Sequence, residues 1–420
     1  MYFDELDLGD DLLDALYEMH FDECTPIQAM AIPPALEGRD LMAIAQTGTG
    51  KTAAYLLPVI ERLTYGDYPR DAINCVIMTP TRELAQQIDR QMEGFAYYLP
   101  VSSLPIYGGT DGREFGQQQR GLRAGADVVI ATPGRLLAHL QTGHCDLSRT
   151  SFFILDEADR MLDMGFFDDI MAIAKHLPSE RQTMMFSATM PPKIKQMAGK
   201  LLKNPTEVKT AVSRPAEKID QSIYMVPELQ KQDVLLHLFK EGFAQRVIIF
   251  VASKVKTKEL ARNLRRAGWH AAEMHSDLDQ RQREDAMLAF RAGRTDILVA
   301  TDIVARGIDI DDIAMVVNYD VPREAEDYVH RIGRTARAGA GGKAVTLVGE
   351  RDRGAFARIE RFLKTRIRRE KWGDAPEEPL AENAPAEAKE RKQGAPKRGN
   401  KKQGRRRYHR RPPKKTGNMN

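Results

Sequence analysis

The sequence predicts an α/β protein with two tandem parallel-sheet domains and a basic tail. Short apolar runs alternate with helical patterns over residues 39 to about 205, the alternation restarts after residue 218, and it ends near residue 366. Several runs are apolar at consecutive positions, as in strands that are buried on both faces of a sheet. The repeated strand–helix order is typical of an open parallel sheet.

The predicted elements follow in chain order. The predicted strands of the first domain are residues 41–45, 75–79, 128–131, 152–155 and 184–187, and its clearest helices are residues 82–98 and 167–176. Ser213, Arg214 and Pro215 interrupt the pattern. The predicted strands of the second domain are residues 221–226, 247–251, 297–300, 314–319 and 344–348. We therefore expect a first domain at residues 1–208, a linker at 209–218 and a second domain at 219–366.

Charge is distributed unevenly along the 420 residues, whose formal net charge is +4. From Lys389 to Asn420 there are 14 Lys or Arg and one acid, a balance of +13, which leaves −9 on residues 1–388. The last part of the chain also nearly lacks large apolar side chains, so burial cannot offset the entropy lost on ordering. We expect residues 367–420 to form a disordered basic tail.

Composition also excludes some classes of protein. No apolar run approaches the roughly 20 residues that cross a bilayer, and the acidic residues 1–11 do not resemble a secretory signal. Cys24, Cys75 and Cys145 lie too far apart for a metal site. The sequence therefore predicts reduced thiols, a cytoplasmic location and no membrane partner.

A glycine-rich segment at residues 45–52, AQTGTGKT, follows the first predicted strand and opens a helical pattern. In that context the backbone N–H groups of such a turn cradle phosphates. Lys51 would add charge at the outer phosphates, and the Thr52 hydroxyl would ligate Mg²⁺. By itself, with Ala45 in place of the usual first glycine, the segment also fits an ordinary turn. The predicted phosphate-binding residues are Thr47, Gly48, Thr49, Gly50, Lys51 and Thr52.

An acidic cluster, Asp156-Glu157-Ala158-Asp159, follows the predicted strand at residues 152–155. Asp156 at a strand end can hold Mg²⁺ opposite Thr52, and Glu157 can orient and deprotonate an attacking water. In isolation the cluster is equally an exposed acidic turn. Its position relative to the phosphate-binding segment favours the catalytic interpretation.

With residues 330–337, HRIGRTAR, these blocks occur in one order along the chain and resemble the DEAD-box RNA helicases, superfamily 2 ATPases with two RecA-like domains. The resemblance covers residues 1–365. It implies an ATP-dependent RNA helicase that uses ATP and Mg²⁺. Such a protein would contact the sugar-phosphate backbone of RNA regardless of base sequence, and would separate short duplexes locally or remodel RNA–protein complexes. Among subgroups the chain most resembles the bacterial RhlE type.

The resemblance also assigns the nucleotide-binding residues. Phe21 and Gln28, in a segment where Cys24 replaces the usual Pro, correspond to the adenine-binding motif, and Asp309 corresponds to the residue that reaches the ribose. Arg334 and Arg337 correspond to the arginines that stabilise the transition state. With Lys51 and Glu157 they form the predicted catalytic set.

Further blocks resemble the RNA-contacting and coupling motifs of the family. The predicted RNA contacts are Pro80, Thr81, Arg82, Gly108, Gly109, Thr132, Pro133, Gly134, Arg135, Gln280, Arg283, Thr301, Asp302 and Arg306. Predicted coupling residues are Ser187, Thr189 and His330. Few aromatic residues accompany these blocks, which favours backbone and 2′-OH contacts over base readout.

Two alternative functions stay open from the sequence: a DNA-translocating helicase and an RNA-clamping scaffold that has lost turnover. The tail also has two interpretations. It could tether RNA nonspecifically, or it could be a solvated charge run that aids solubility.

Overall fold

The computed structural model describes residues 1–45, 48–108, 112–210, 219–240, 246–302, 313–335 and 341–372. These residues form two seven-stranded sheets, in which every neighbouring pair of strands is parallel. The fold class predicted from the sequence is therefore confirmed. The predicted linker residues 211–218 and tail residues 373–420 lie outside the described part.

The first sheet has the strand order β3-β4-β2-β5-β6-β1-β7. Its strands are β1 Leu41–Ile44, β2 Cys75–Met78, β3 Ser103–Ile106, β4 Val128–Ala131, β5 Phe152–Leu155, β6 Gln182–Ser187 and β7 Thr206–Lys209. The helices around it are α1 Asp10–Glu18, α2 Pro26–Leu36, α3 Lys51–Tyr65, α4 Arg82–Phe95, α5 Gly112–Ala124, α6 Pro133–Gln141, α7 Ala158–Asp163, α8 Phe167–Ala174 and α9 Pro192–Leu201, with a 3₁₀ helix at Phe3–Glu5.

The second sheet has the order β10-β11-β9-β12-β13-β8-β14. Its strands are β8 Ile219–Met225, β9 Val247–Phe250, β10 Ala271–Met274, β11 Ile297–Ala300, β12 Met315–Asn318, β13 Gly342–Val348 and β14 Arg368–Glu370. Its described helices are α10 Lys231–Lys240, α11 Lys254–Arg266, α12 Gln280–Arg291, α13 Ala325–Ile332 and α14 Arg353–Leu363, with 3₁₀ helices at Glu228–Gln230 and Glu350–Asp352.

Two apolar layers, one on each face, bury the first sheet. Successive residues of a strand point to opposite faces, so Phe152 and Ile154 pack in the layer that contains α1 to α4, whereas Phe153 and Leu155 pack in the layer that contains α8 and α9. The parallel register brings the carboxyl ends of the strands to one edge, where open α/β sheets bind ligands. None of the helices in the described part of the chain has the length and apolar character needed to cross a membrane.

The second sheet extends beyond the predicted domain end at residue 366. β14 pairs with β8, Ile367 is buried, and the Trp372 ring lies 5.1 Å from the His237 ring. The prediction that the tail begins at residue 367 is therefore wrong for residues 367–372. The strand escaped prediction because Arg368–Glu370 is short and fully charged. We propose that the first domain ends at Lys209 and that the second includes residue 372.

Candidate functional site

The glycine-rich segment leaves β1, which lies between β6 and the edge strand β7, and enters α3. Gly48 and Gly50 have φ of 80° and 89°, in the left-handed region that favours glycine. A Cβ on Gly50 would lie 2.5 Å from Gln28 Nε2, so a larger residue would displace the Gln28 amide and would also be strained by the positive φ. Ala45 donates its N–H to the Ser187 carbonyl over 3.0 Å, so its side chain replaces the usual glycine without disturbing the sheet. Thr47 lies outside the described residues.

Lys51 is the buried cation of this segment. Lys51 is the first residue of α3, and only 6% of it is exposed. Its Nζ has no hydrogen-bond partner among the described residues. A buried ammonium without a partner is costly. Three features of the segment — the two left-handed glycines, the N-terminus of α3 and the orphaned ammonium — fit the outer phosphates of a nucleotide.

Asp156 follows β5 and is 3% exposed. Its Oδ2 accepts a hydrogen bond from the Tyr55 hydroxyl at 2.9 Å, and its Oδ1 accepts one from the Glu157 N–H at 2.9 Å. Burial raises the pKa of Asp156, and the nearby Lys51 charge opposes that rise. Thr52 hydrogen-bonds the same Tyr55 hydroxyl. The predicted metal-binding pair, Thr52 and Asp156, is thus joined through Tyr55, and its hydroxyl and carboxylate oxygens are ligands that Mg²⁺ accepts.

Glu157 occupies an unusual backbone position at the start of α7. Its φ of 51° lies in the left-handed region, which is strained for a residue with a side chain and is found disproportionately at functional sites. Its carboxylate is buried, and Oε2 lies 3.1 Å from Nη1 of the equally buried Arg160. The backbone therefore places this carboxylate beside Asp156, and Arg160 compensates its charge.

Asp159 connects the acidic cluster to the turn after β6. Its Oδ2 accepts hydrogen bonds from Ala188 N at 3.1 Å, Thr189 N at 2.9 Å and the Thr189 hydroxyl at 2.9 Å. Thr189, a predicted coupling residue, therefore bonds a carboxylate of the acidic motif through both its N–H and its hydroxyl. The Ser187 hydroxyl instead donates to the Thr189 carbonyl at 2.7 Å. Asp159 had no predicted role, although it stands inside the acidic motif.

A cavity of about 470 Å³ lies beside the glycine-rich segment. Its lining residues are Tyr2, His20, Phe21, Asp22, Glu23, Thr25, Gln28, Gly48 and Gly50. Gln28 is 1% exposed; its Oε1 accepts from Thr25 N at 2.7 Å, and its Nε2 donates to the Gly50 carbonyl at 3.2 Å. The amide keeps one N–H and one acceptor site for a ligand. Phe21 packs edge-on against Phe95, with ring centres 5.3 Å apart.

The blocks predicted to contact RNA in the first domain lie at the carboxyl ends of β2, β3 and β4. Thr81 caps α4, since its hydroxyl accepts from Leu84 N at 3.3 Å, and Thr132 precedes α6. A Cβ added to Gly108 or Gly134 would have no neighbour within 4 Å, so another backbone could approach both glycines. Pro80, which precedes Thr81, and Pro133, which precedes Gly134, are both buried. Gly109 lies outside the described residues.

The N-termini of α4 and α12 meet between the two sheets. Arg82 Nη2 lies 2.7 Å from Glu284 Oε1, and Gln280 Nε2 donates to Glu83 Oε1 over 3.4 Å. On α12, Arg283 Nη2 donates to the Ser276 carbonyl at 3.2 Å. Blocks that the sequence placed on separate domains therefore lie together. The Nε atoms of both arginines are buried and have no hydrogen-bond partner within the described chain.

Arg331 organises the ends of β11 and β12, a role that the motifs did not indicate. Its Nε and Nη2 bind the two oxygens of Asp302 at 2.6 and 2.7 Å, and its Nη1 donates to Asn318 Oδ1 at 3.1 Å. Both oxygens of Asp302, a predicted RNA contact, bind Arg331. The neighbouring Thr301 continues the strand pairing through its N–H to the Met274 carbonyl at 3.1 Å.

Arg334 and His330 are both buried at the end of α13. Arg334 is 6% exposed, and its Nε donates to the His330 carbonyl at 3.3 Å. The predicted residues Arg306, Asp309 and Arg337 lie outside the described part of the chain.

Comparison with known proteins agrees with this site. Residues 25–197 match the DEAD/DEAH box helicase family, and residues 230–339 match the helicase conserved C-terminal domain. The chain is 41% identical to the DEAD-box ATP-dependent RNA helicase CshA of Geobacillus kaustophilus over 370 residues, which cover 88% of this chain and 78% of that protein. It is also 41% identical to the ATP-dependent RNA helicase CshA of Listeria monocytogenes, over 87% of this chain and 69% of that protein.

A solved structure shows the same fold. S. cerevisiae Dbp5 bound to RNA and ADP BeF3 superposes with a TM-score of 0.79 at 32% identity, over 88% of this chain and 95% of that one. Both family matches, the identity to curated relatives and this superposition lead to one assignment. The chain belongs to the DEAD-box family of ATP-dependent RNA helicases.

Proposed function

We propose that this helicase hydrolyses ATP on its first domain with arginines from its second, and that RNA favours the catalytic arrangement. This RNA-stimulated ATP hydrolysis would drive local, non-processive separation of short RNA duplexes or remodelling of RNA–protein complexes. The observation that carries the proposal is the buried Lys51 ammonium, which has no hydrogen-bond partner among the described residues and lies near the Asp156 carboxylate.

We assign the nucleotide-binding roles to residues of the glycine-rich segment, the adjacent cavity and the ribose motif. The N–H groups of Gly48 to Lys51 and the Lys51 ammonium would bind the phosphates. Phe21 and Gln28, which line the adjacent cavity, would hold adenine, and Asp309 would reach the ribose. Because Gln28 also holds the Gly50 carbonyl, adenine binding and the shape of the phosphate loop are linked.

Thr52 and Asp156 would hold Mg²⁺, since both hydrogen-bond the Tyr55 hydroxyl and so lie near each other. When bound, the ion would neutralise negative charge on the outer phosphates. Glu157 would orient the attacking water and accept its proton. Arg334 and Arg337 would stabilise the charge that spreads over the transferred phosphoryl group.

RNA would lie along the carboxyl ends of the strands of both sheets. We propose phosphate and 2′-OH contacts from the blocks that contain Thr81, Arg82, Gly108, Arg135, Gln280 and Arg283. Open space at Gly108 and Gly134 supports a close approach of the RNA backbone. Dbp5, a relative of similar fold, was solved with RNA and ADP BeF3. The contacts of Asp159 with Thr189, together with His330, would relay the state of the ATP site.

ATP turnover tests this function against its two alternatives. We expect turnover to rise with RNA, to rise less with DNA of the same sequence, and to be abolished in Lys51→Ala. Lys195→Ala, which changes an exposed lysine on α9, is the matched control and should keep full turnover. Equal stimulation by DNA would favour the DNA helicase, and RNA binding without any turnover would favour the scaffold. Near-normal turnover of Lys51→Ala would remove the phosphate-loop assignment.

We further propose that this protein is cytoplasmic and belongs to the RhlE-type subgroup. The basic tail supports the subgroup, although the curated relatives from G. kaustophilus and L. monocytogenes are CshA-type, so both types are candidates. The three cysteines support a reducing compartment, since Cys24, Cys75 and Cys145 are all free thiols.

A further inference from the structure

Gln118 of α5 lies between two of the RNA-contacting blocks, although no predicted motif includes it. The residue is 7% exposed. Its Nε2 donates to the Tyr107 carbonyl at 3.2 Å, and its Oε1 accepts from Arg135 Nε at 2.7 Å. A single buried amide therefore connects the segment after β3 to the segment after β4.

Arg135 is held on a second side by aromatic rings. Its guanidinium carbon lies 4.6 Å from the centre of the Phe115 ring, and the His139 ring stacks on Phe115 with centres 4.1 Å apart. The Nη2 atom of Arg135 is buried and has no hydrogen-bond partner among the described residues. The guanidinium is thus oriented by Gln118 and Phe115 while one of its donors stays unused.

His139 completes the environment of the Gln118 oxygen. Its Nε2 lies 3.2 Å from Gln118 Oε1, which can only accept, so Nε2 carries the proton. Burial, with the nearby Arg135 charge, lowers the pKa of His139 to about 4. The imidazole is therefore neutral near pH 7 and adds no second positive charge beside Arg135.

The other contact of Gln118 fixes the approach to Gly108. The Tyr107 carbonyl belongs to the residue directly before this glycine, and the Tyr107 ring lies 4.6 Å from the Arg82 guanidinium carbon. Gln86 Nε2 donates to the Tyr107 hydroxyl at 2.9 Å. Arg82, Gly108 and Arg135 come from three separate blocks, and the Tyr107–Gln118 contact ties them into one network.

We propose that Gln118 is a positioning residue for RNA binding, which holds the Arg135 guanidinium and the Tyr107–Gly108 backbone in their RNA-binding arrangement. This inference rests on the proposed contact of Arg135 with RNA. An arginine that is already held loses less rotamer freedom on binding, so affinity rises without any contact between Gln118 and the RNA. None of the described partners of Gln118, which are Tyr107, Arg135 and His139, belongs to the ATP site, so catalysis itself stays unchanged.

Gln118→Met tests the inference, because methionine keeps the volume and removes the hydrogen bonds to Tyr107, Arg135 and His139. We expect the RNA concentration for half-maximal ATPase stimulation to rise about tenfold, the usual size for losing hydrogen bonds to a charged group. The rate at saturating RNA, the KM for ATP and the turnover without RNA should stay within about twofold. Gln117→Met, an exposed neighbour on α5, is the matched control and should change none of these values.

A double variant separates positioning from general damage to α5. If Gln118 acts through Arg135, adding Gln118→Met to Arg135→Met should weaken RNA binding little beyond Arg135→Met alone. A further tenfold loss in the double variant overturns the inference, as does an unchanged RNA requirement in Gln118→Met. Phe115→Leu removes the ring below the guanidinium and supplies an independent test if Gln118→Met melts before the assay temperature; it should also raise the RNA requirement.

The same variants distinguish failure of the inference from failure of the proposed function. If Arg135→Met binds RNA normally, the assigned RNA contact is wrong. If Arg135→Met weakens RNA binding and Gln118→Met does not, only the positioning role is wrong.

Discussion

Three buried charges near the ATP site differ in their partners, and the partner decides what each can do. Glu157 lies 3.1 Å from Arg160, Asp156 accepts hydrogen bonds from Tyr55 and Glu157 N, and the Lys51 ammonium has no partner in the described chain. An uncompensated buried charge costs several kcal/mol in general. Lys51 is therefore the group with most to gain from an anionic ligand, which agrees with its proposed role at the phosphates.

His139 gives the first domain a pH dependence that can be measured. Because its pKa is about 4 in the folded chain and about 6.5 when exposed, the unfolded chain takes up this proton first as the pH falls. The stabilising contribution is complete above pH 6.5 and is lost as the pH falls toward 4, at about 1.4 kcal/mol per pH unit. Urea unfolding should therefore show that His139→Gln loses about 2 kcal/mol less stability than the wild type between pH 7 and pH 5.

His176→Gln is the matched control for this measurement, because His176 is exposed on the same domain. Its stability should fall with pH in parallel with the wild type. Parallel curves for His139→Gln as well would show that burial does not hold the imidazole neutral.

Which polar groups pair with each other is the part of the site that the sequence leaves open. The motifs identified Asp302 and residues 330–337, but both oxygens of Asp302 bind Arg331. A motif gives residue types in chain order, whereas these two residues are brought together by β11 and α13. For the same reason no motif indicated Gln118, because its partners Tyr107 and Arg135 lie before and after α5 in the sequence and meet only in the fold.

At the level of elements, burial explains which strands could be predicted. Strands fully buried along their length, such as Val128–Ala131 and Ile297–Ala300, gave consecutive apolar runs and were predicted at the right residues. All four strands that escaped prediction are the edges of the two sheets. They are Ser103–Ile106, Thr206–Lys209, Ala271–Met274 and Arg368–Glu370. An edge strand keeps polar side chains toward solvent, which also protects it from pairing with other chains.

β14 permits a test of the corrected domain end. A chain of residues 1–366 loses the pairing of β14 with β8, the buried Ile367 and the packing of Trp372 near His237. Burying one large apolar side chain contributes about 1.5–3 kcal/mol, whereas the exposed ion pair of Arg368 with Asp220 adds little. Urea unfolding followed by circular dichroism should find the chain of residues 1–366 less stable than that of residues 1–372 by about 2–4 kcal/mol.

The full-length chain is the control for this truncation. Its composition predicts no core after residue 372, so removing residues 373–420 should leave the unfolding curve unchanged. Equal stability of the chains that end at residues 366 and 372 would show that β14 contributes nothing to the second domain.

At the level of the whole molecule, the two domains contact each other through polar side chains of α4 and α12. The ion pair of Arg82 with Glu284 has side chains that are 12% and 51% exposed. Partly exposed pairs of this kind contribute at most about 1 kcal/mol. Such a contact is weak enough to break and re-form, as the proposed coupling of ATP and RNA binding through domain closure requires.

The distribution of net charge bears on RNA affinity, since residues 1–388 carry −9 and the last 32 residues carry +13. A negative globular part repels RNA at long range, so its local phosphate contacts need help that the tail could supply.

If the tail binds RNA, ending the chain at residue 388 should weaken affinity and flatten the dependence of log K on log salt. The slope should change by about 0.7 for each single-strand phosphate that the tail no longer neutralises. RNA titrations at several salt concentrations measure this slope. A tail of equal length in which Lys and Arg become Gln is the matched control and should behave like the truncation. If the slope is the same with and without the tail, the tail is a solubility segment, and the blocks around Arg82 and Arg135 supply the whole electrostatic part of RNA binding.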